Sequence, residues 1–180
     1  MHENPLKEVV GVSKRIFISY SWTDTDDINR LDNQFLRFQI KLTRDIRDLT
    51  YNTSIHNFMD TIQQHDKLIL YVSDSYLRSI NCMYEASQAL EMKDKVVLIL
   101  KKGTRVFSPE DKIDLINYWK DKLQKFSQTD PKRLKSEIDD ITIAYNCISD
   151  FIDFVKQDNR MDNQNLDFDT LLDLLKVEKA

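Results

Sequence analysis

The chain has 180 residues, 41% hydrophobic and 31% charged, with a net charge of −4. That composition suits one soluble domain with its own core, and the negative balance argues against nucleic acid as a partner. Three histidines show no metal spacing, two cysteines imply no disulfide framework, and two glycines exclude the glycine-rich phosphate loops of P-loop and dinucleotide folds.

Residues 1–14 read as an N-terminal extension without the apolar core of a secretory signal. Arg15 to Tyr20 is a short β-rich run. Asp26 or Asp27 is then placed to cap a helix with Ile28, Leu31, Phe35 and Phe38 on its apolar face. Gln39 to Leu42 follows as a strand and Arg44 to Thr53 as a polar loop, and Thr53 or Ser54 opens a helix bearing Ile55, Phe58, Met59 and Ile62. Lys67 to Val72 and Val96 to Leu100 are continuous apolar runs, the mark of strands buried on both faces. Between them lies a helix with Cys82, Ala86, Ala89 and Leu90 on one arc. Glu85 falls at the edge of that arc, where a carboxylate is costly without a partner or a task.

The second half is helical. Ser108-Pro109-Glu110-Asp111 is a capping-box start for a helix burying Ile113, Ile116, Trp119, Leu123 and Phe126. Asp130-Pro131 starts another, with a seam of Leu134, Ile138, Ile141, Tyr145, Ile148, Ile152 and Val155. That seam reads either as packing on its own domain or as a coiled-coil interface, and Ile141 to Ile143 reads equally as a fifth strand. Residues 15–158 form the predicted domain. Residues 159–180 read as a polar linker and a C-terminal helix, carrying Leu171, Leu172 and Leu175, packed on the same domain. Strand–helix alternation predicts an α/β fold: a three-layer sandwich around a parallel sheet of four or five strands, extended by C-terminal helices. No apolar run reaches the roughly 20 residues of a membrane helix, so no membrane partner is expected.

In such a sheet, ligands bind at the carboxyl ends of the strands. Three loops converge there: Tyr20 to Asp24, Arg44 to Thr53, and Ser73 to Asn81 leading into Glu85. They supply hydroxyls, an indole and a carboxylate, without a Ser-His-Asp set or a metal cluster. Cys82 reads as a small core residue, since no histidine stands near it in sequence.

Three motifs stand in order: Phe17-Ile-Ser-Tyr-Ser21, Arg44-Asp45, and Ser73-Asp-Ser-Tyr-x-x-Ser-x-Asn-Cys-x-x-Glu85. Together they resemble a Toll/interleukin-1 receptor (TIR) domain of the bacterial kind. The resemblance implies a flavodoxin-like fold and, for many such domains, cleavage of NAD+ between nicotinamide and ribose. NAD+ is then the substrate, and no cofactor or metal is implied. The family's catalytic glutamate falls on Glu85. The substrate-binding residues it implies are Tyr20, Ser21, Trp22, Asp45, Ser75, Ser79, Asn81 and Cys82. The loop Asp45 to Thr53 corresponds to one that gates the site and joins neighbouring copies. The expected setting is cytoplasmic antiphage defence, in which a separate effector senses a nucleotide product. Active members often carry Trp four residues before the glutamate. Here that position is Asn81, so Trp22 or Tyr84 is left to offer a stacking surface. The alternative function is a non-catalytic module acting by self-association. A third class, the phospho-accepting receivers, would use Asp74 with Asp24, Asp26 and Asp27, but these acids lie past Ser21 and Trp22 rather than at the strand end.

Overall fold

The structure is a computed structural model that describes residues 14–44, 60–157 and 160–177. Strands β1 (Ile16–Tyr20), β2 (Leu42–Thr43), β3 (Lys67–Val72), β4 (Val96–Leu100) and β5 (Arg160–Asp162) form one sheet in the order β2-β1-β3-β4-β5, parallel throughout. This is the flavodoxin-like order, and its reversal point lies between β1 and β3. Ile18 pairs with Ile69, Ile69 with Val97 and Ile99 with Met161, so the strands are in register across the centre.

Alternation along each strand builds two cores. Ile16, Ile18, Tyr20, Ile69, Tyr71, Val97 and Ile99 face one side. They meet Ile28, Leu31 and Phe35 of helix α1 (Thr25–Arg37) and Leu171 and Leu172 of α5 (Phe168–Leu174). Phe17, Leu68, Leu70, Val72, Leu98 and Leu100 face the other. There they pack on α2 (Ile80–Leu90), α3 (Pro109–Thr129) and α4 (Lys135–Val155) through Met83, Ala86, Trp119, Ile148 and Ile152. Ser19 is the polar exception on that second side, below Tyr20 and beyond Phe17. None of the helices among the described residues is long and apolar enough to cross a membrane.

Several local expectations need correction. Asp26 and Asp27 lie in the first turn of α1; Asp24 holds the N-cap position. Strand β2 begins only at Leu42, because Gln39 takes a left-handed φ of 60° and ends α1, with the Ile40 amide bonded back to the Phe35 carbonyl. Phe38 is therefore past the helix and exposed, leaning on Phe168 at 5.2 Å between ring centroids. The capping box of α3 forms as read, with the Asp111 amide donating to Ser108 Oγ at 3.0 Å and the Ser108 amide to Asp111 Oδ2 at 3.1 Å. Ile113 is nevertheless exposed and Leu115 buried, since six residues put Ile113 about a third of a turn from Trp119.

Asp130-Pro131 opens a turn, and α4 starts at Lys135. Ile141, Ile148, Ile152 and Val155 of its seam are buried in the chain's own core, where α4 packs on α2 and α3, while Leu134, Ile138 and Tyr145 are half-buried, so most of the seam serves packing within the domain. Ile141 to Ile143 is helical, and the fifth strand comes from the segment read as a linker. Arg160 and Asp162 hid it, being polar residues of a three-residue edge strand. The predicted helix through Ile55, Phe58 and Met59 lies outside the described residues, whereas Ile62 is buried in a 3-10 turn, Asp60–Gln64.

Candidate functional site

β1 ends at Tyr20 and leads through Ser21 into a 3-10 turn, Trp22–Asp24, that runs straight into α1. β3 ends at Val72 and leads into a second 3-10 turn, Tyr76–Arg78, and then into α2. Ser79 caps α2, its Oγ accepting from the Cys82 amide at 3.3 Å. The two connections face each other across the reversal point. Between them lies a cleft of ≈ 200 Å³, lined by Tyr20, Ser21, Trp22, Thr23, Ser79, Asn81, Cys82 and Glu85.

Glu85 is only 4% exposed, so its place at the edge of the apolar arc points it inward rather than to solvent. Ser19 Oγ donates a hydrogen bond to Glu85 Oε2, and the Tyr76 hydroxyl stands 2.9 Å from the same Ser19 Oγ. Tyr76 is fully enclosed, and burial, followed by Cys82 and Glu85, pushes its phenol well above the ordinary value. Tyr76 therefore keeps its proton wherever the protein is folded at ordinary pH. The turn that carries it is pinned from α3, where Trp119 Nε1 donates to the Leu77 carbonyl at 3.0 Å and the Tyr118 hydroxyl to the Arg78 carbonyl at 3.2 Å.

Trp22 stands 57% exposed at the mouth of the cleft. Tyr84 packs against the core of α2–α4 and does not line the cleft, so of the two proposed stacking surfaces only Trp22 borders it. Asn81 lies on the opposite wall. Ser75 is outside the cleft and exposed, at the start of the turn that carries Tyr76. Asp45 and the loop to Thr53 lie outside the described residues. Arg44, just before them, is buried and donates to the Tyr20 hydroxyl at 2.8 Å, Asn29 Oδ1 at 2.9 Å and Asp32 Oδ2 at 3.3 Å. These bonds tie the end of β2 to β1 and α1. Neither cysteine has a nucleophile's setting: Cys82 is buried, and burial pushes the Cys147 thiol up to about 12.

A second polar cluster sits at the same sheet edge, toward β4. Lys101 Nζ is 2.7 Å from Asp24 Oδ1 and 3.0 Å from Asp27 Oδ2. Ser73 Oγ donates to Asp24 Oδ2 at 2.6 Å, the Tyr71 hydroxyl to Asp27 at 3.0 Å, and Asn163 Nδ2 to that hydroxyl at 2.9 Å. Burial drives the Asp27 carboxyl upward, but the bonds from Lys101, Arg30 and Tyr71 outweigh it and hold it below the usual carboxylate range. Bonds from Asp24 and Asp27 raise Lys101. Two of the acids a receiver would use for a metal, Asp24 and Asp27, are thus held by an ammonium, and Asp74 faces Arg78 and Arg105 at 3.9 and 4.0 Å. Among the described residues, no group of three or more His, Cys, Asp or Glu side chains is arranged to hold a metal ion.

The structure brings seven of the nine expected site residues together around one cleft, with Ser75 displaced and Asp45 outside the described residues. Sequence reasoning missed Ser19 and Tyr76 as the residues behind Glu85, and Thr23 beside Trp22. Ser19 did leave a signal: it is a small hydroxyl residue in a strand, Ile16–Tyr20, whose other residues are isoleucines and aromatics.

A parallel five-stranded sheet in this order, covered by helices on both faces, defines a flavodoxin-like α/β domain. Comparison with family models sharpens this. The model described as "TIR domain" matches residues 16–130, more than half of the chain, and the chain belongs to the TIR-domain family. It is similar in structure to the TIR domains of the activated Roq1 resistosome directly recognizing the pathogen effector XopQ. The two share 18% identity with a TM-score of 0.57, over 91% of this chain and 96% of that one. At that identity the likeness is one of fold. No curated protein sequence matches the chain.

Proposed function

We propose that this TIR domain cleaves NAD+ between nicotinamide and ribose, with Glu85 as the catalytic carboxylate. The observation that carries the reading is Glu85 itself, a buried acid at the base of a small cleft whose walls are hydroxyls, an amide and an indole. The nicotinamide of NAD+ is already cationic, so it departs as a neutral molecule and needs no general acid. Positive charge then develops on the ribose, as in glycoside hydrolysis. One carboxylate beside that sugar stabilises the charge, and a low-dielectric surround strengthens the effect. Ser21, Thr23, Ser79 and Asn81 offer donors and acceptors for ribose hydroxyls, and Trp22 a flat face for an aromatic ring. Attack by water gives nicotinamide and ADP-ribose; attack by a group of the same nucleotide gives a cyclic isomer. In a cell, either product is suited to report infection to a separate effector. Two free thiols suit a reducing cytoplasm.

The cleft volume of ≈ 200 Å³ is below the roughly 300–1,000 Å³ that enclose a whole drug-sized ligand. On this reading it takes the nicotinamide riboside half, and the remainder of the dinucleotide extends beyond it. A second copy then completes the site, with the Asp45 to Thr53 loop as the joint; the likeness to TIR domains of a resistosome supports such self-association. Asn81, where an aromatic would serve stacking, favours the other reading, self-association without turnover.

The deciding experiment incubates the purified chain with NAD+ and follows free nicotinamide, with mass analysis of the nucleotide product. The expected result is turnover that grows faster than linearly with protein concentration and disappears in Glu85→Gln. Absence of nicotinamide at high protein concentration would leave the self-associating module.

A further inference from the structure

We infer that Tyr76 and Ser19 form a one-way hydroxyl relay that positions Glu85 and holds it ionised; they are positioning residues, not catalytic ones. With Glu85 ionised, the direction follows from counting protons. An ionised carboxylate only accepts. The Ser19 hydroxyl has a single hydrogen and gives it to Glu85 Oε2. The contact between Ser19 Oγ and the Tyr76 hydroxyl at 2.9 Å must then be donated by Tyr76. The chain runs Tyr76 O–H to Ser19 O–H to the carboxylate, and all three side chains are shielded from solvent. Each bond polarises the next in such a chain. Donation to the charged form favours that form, which offsets the cost of burying Glu85.

Both anchors are rigid. Ser19 belongs to β1, where its neighbours Phe17 and Ile18 are fully buried and it pairs across to Leu70. Tyr76 is held by its amide, which donates to Ser73 Oγ at 3.1 Å, and by the stacking of its ring on Phe151, 6.0 Å between centroids. The oxygen that Ser19 holds is thereby fixed from behind. The titratable groups near Ser19, Tyr76 and Glu85 include Tyr20 on β1, Cys82 on α2 and Cys147 on α4.

The inference rests on the proposed role of Glu85, but its first test needs no substrate. With the carboxyl carbons of glutamate isotope-labelled, the Glu85 signal is titrated by NMR in the parent chain, in Ser19→Ala and in Tyr76→Phe. The midpoint is expected to move upward by about one pH unit in Ser19→Ala, and by less in Tyr76→Phe. Where NAD+ is turned over, kcat at neutral pH should fall about tenfold in Ser19→Ala with KM nearly unchanged, and the acid limb of the kcat profile should move up with the midpoint. An unmoved midpoint in either folded variant overturns the relay. If Ser19→Ala does not fold, Tyr76→Phe, which removes one oxygen and keeps the ring, decides alone. A moved midpoint in a chain that never releases nicotinamide keeps the relay and rejects the enzyme; turnover with an unmoved midpoint does the reverse.

Discussion

Glu85 and the pair Asp24 and Asp27 are acids at the same edge of one sheet, yet they are treated in opposite ways. Glu85 meets the hydroxyl of Ser19 and borders a cleft. Asp24 and Asp27 meet the ammonium of Lys101 and the hydroxyls of Ser73 and Tyr71. A carboxylate matched to a cation has its charge spent in the fold. Glu85, bonded by the Ser19 hydroxyl, lies at the wall of a cleft, and on the proposed reading its field acts on what enters there. The two sets are joined through Ser73, whose Oγ donates to Asp24 and accepts from the Tyr76 amide. The ion-paired side is a brace, and the hydroxyl side is what it braces.

The largest expected effect separates activity from stability. Glu85→Gln keeps the shape and an oxygen for Ser19 to bond, so thermal unfolding should change little. NAD+ cleavage should fall by at least about 10²–10³-fold. A variant that loses its fold together with its activity would put Glu85 on the brace side of the comparison. The reverse pattern is expected for Lys101→Met. It strands Asp24, whose side chain is 3% exposed, without its cation. Because Lys101 itself is 38% exposed, water softens the loss, and about 1–3 kcal/mol of stability is expected to go, read as the shift of the denaturant midpoint. An unchanged midpoint would show that the brace is ornamental to folding.

Trp22 tests the cleft from its open side. Its exposure means that Trp22→Ala should leave unfolding unchanged while KM for NAD+ rises about three- to tenfold, the worth of one stacked ring. Placing an aromatic on the opposite wall, Asn81→Trp, in the Trp22→Ala background should recover part of that loss. A drop in stability with KM intact would make Trp22 a packing residue.

How much of this could be read beforehand depended on length and on partners. β3, β4 and the arc of α2 were legible because continuous apolar runs and 3.6-residue spacing record burial directly. The burial of Glu85 was legible because it falls at the edge of such an arc. β5 was not, since three residues at a sheet edge, two of them charged, carry no period. Ile113 and Phe38 were misjudged because spacing alone does not say where the centre of a buried face lies or where a left-handed residue ends a helix. Lys101 escaped notice for a different reason. It stands 77 residues from Asp24 in sequence, and only the parallel crossovers bring the end of β4 to the same sheet edge as the end of β1, with β3 between them.

The smallest expected effect concerns pH and separates the two acids of the brace. Asp27 is held below the ordinary carboxylate range, which lies near pH 4 for the unfolded chain. A carboxyl depressed in the folded state contributes stability that is fully present above its unfolded value and is lost as pH falls through the folded one. Lys101, raised by its partners, contributes stability below its own unfolded value, about 10.4, and loses it only as pH rises past that. Between about pH 5 and 9 neither limb should be visible. Asp27→Asn should therefore lie below the parent by a constant amount across that window. The gap should close as both are taken to acid, because the parent then loses what the variant never had. Denaturant midpoints at a series of pH values read this directly. A gap that stays constant down to about pH 2 would mean that Asp27 stabilises through its shape and its bond from Tyr71, not through its charge. The brace would then reduce to Asp24 and Lys101.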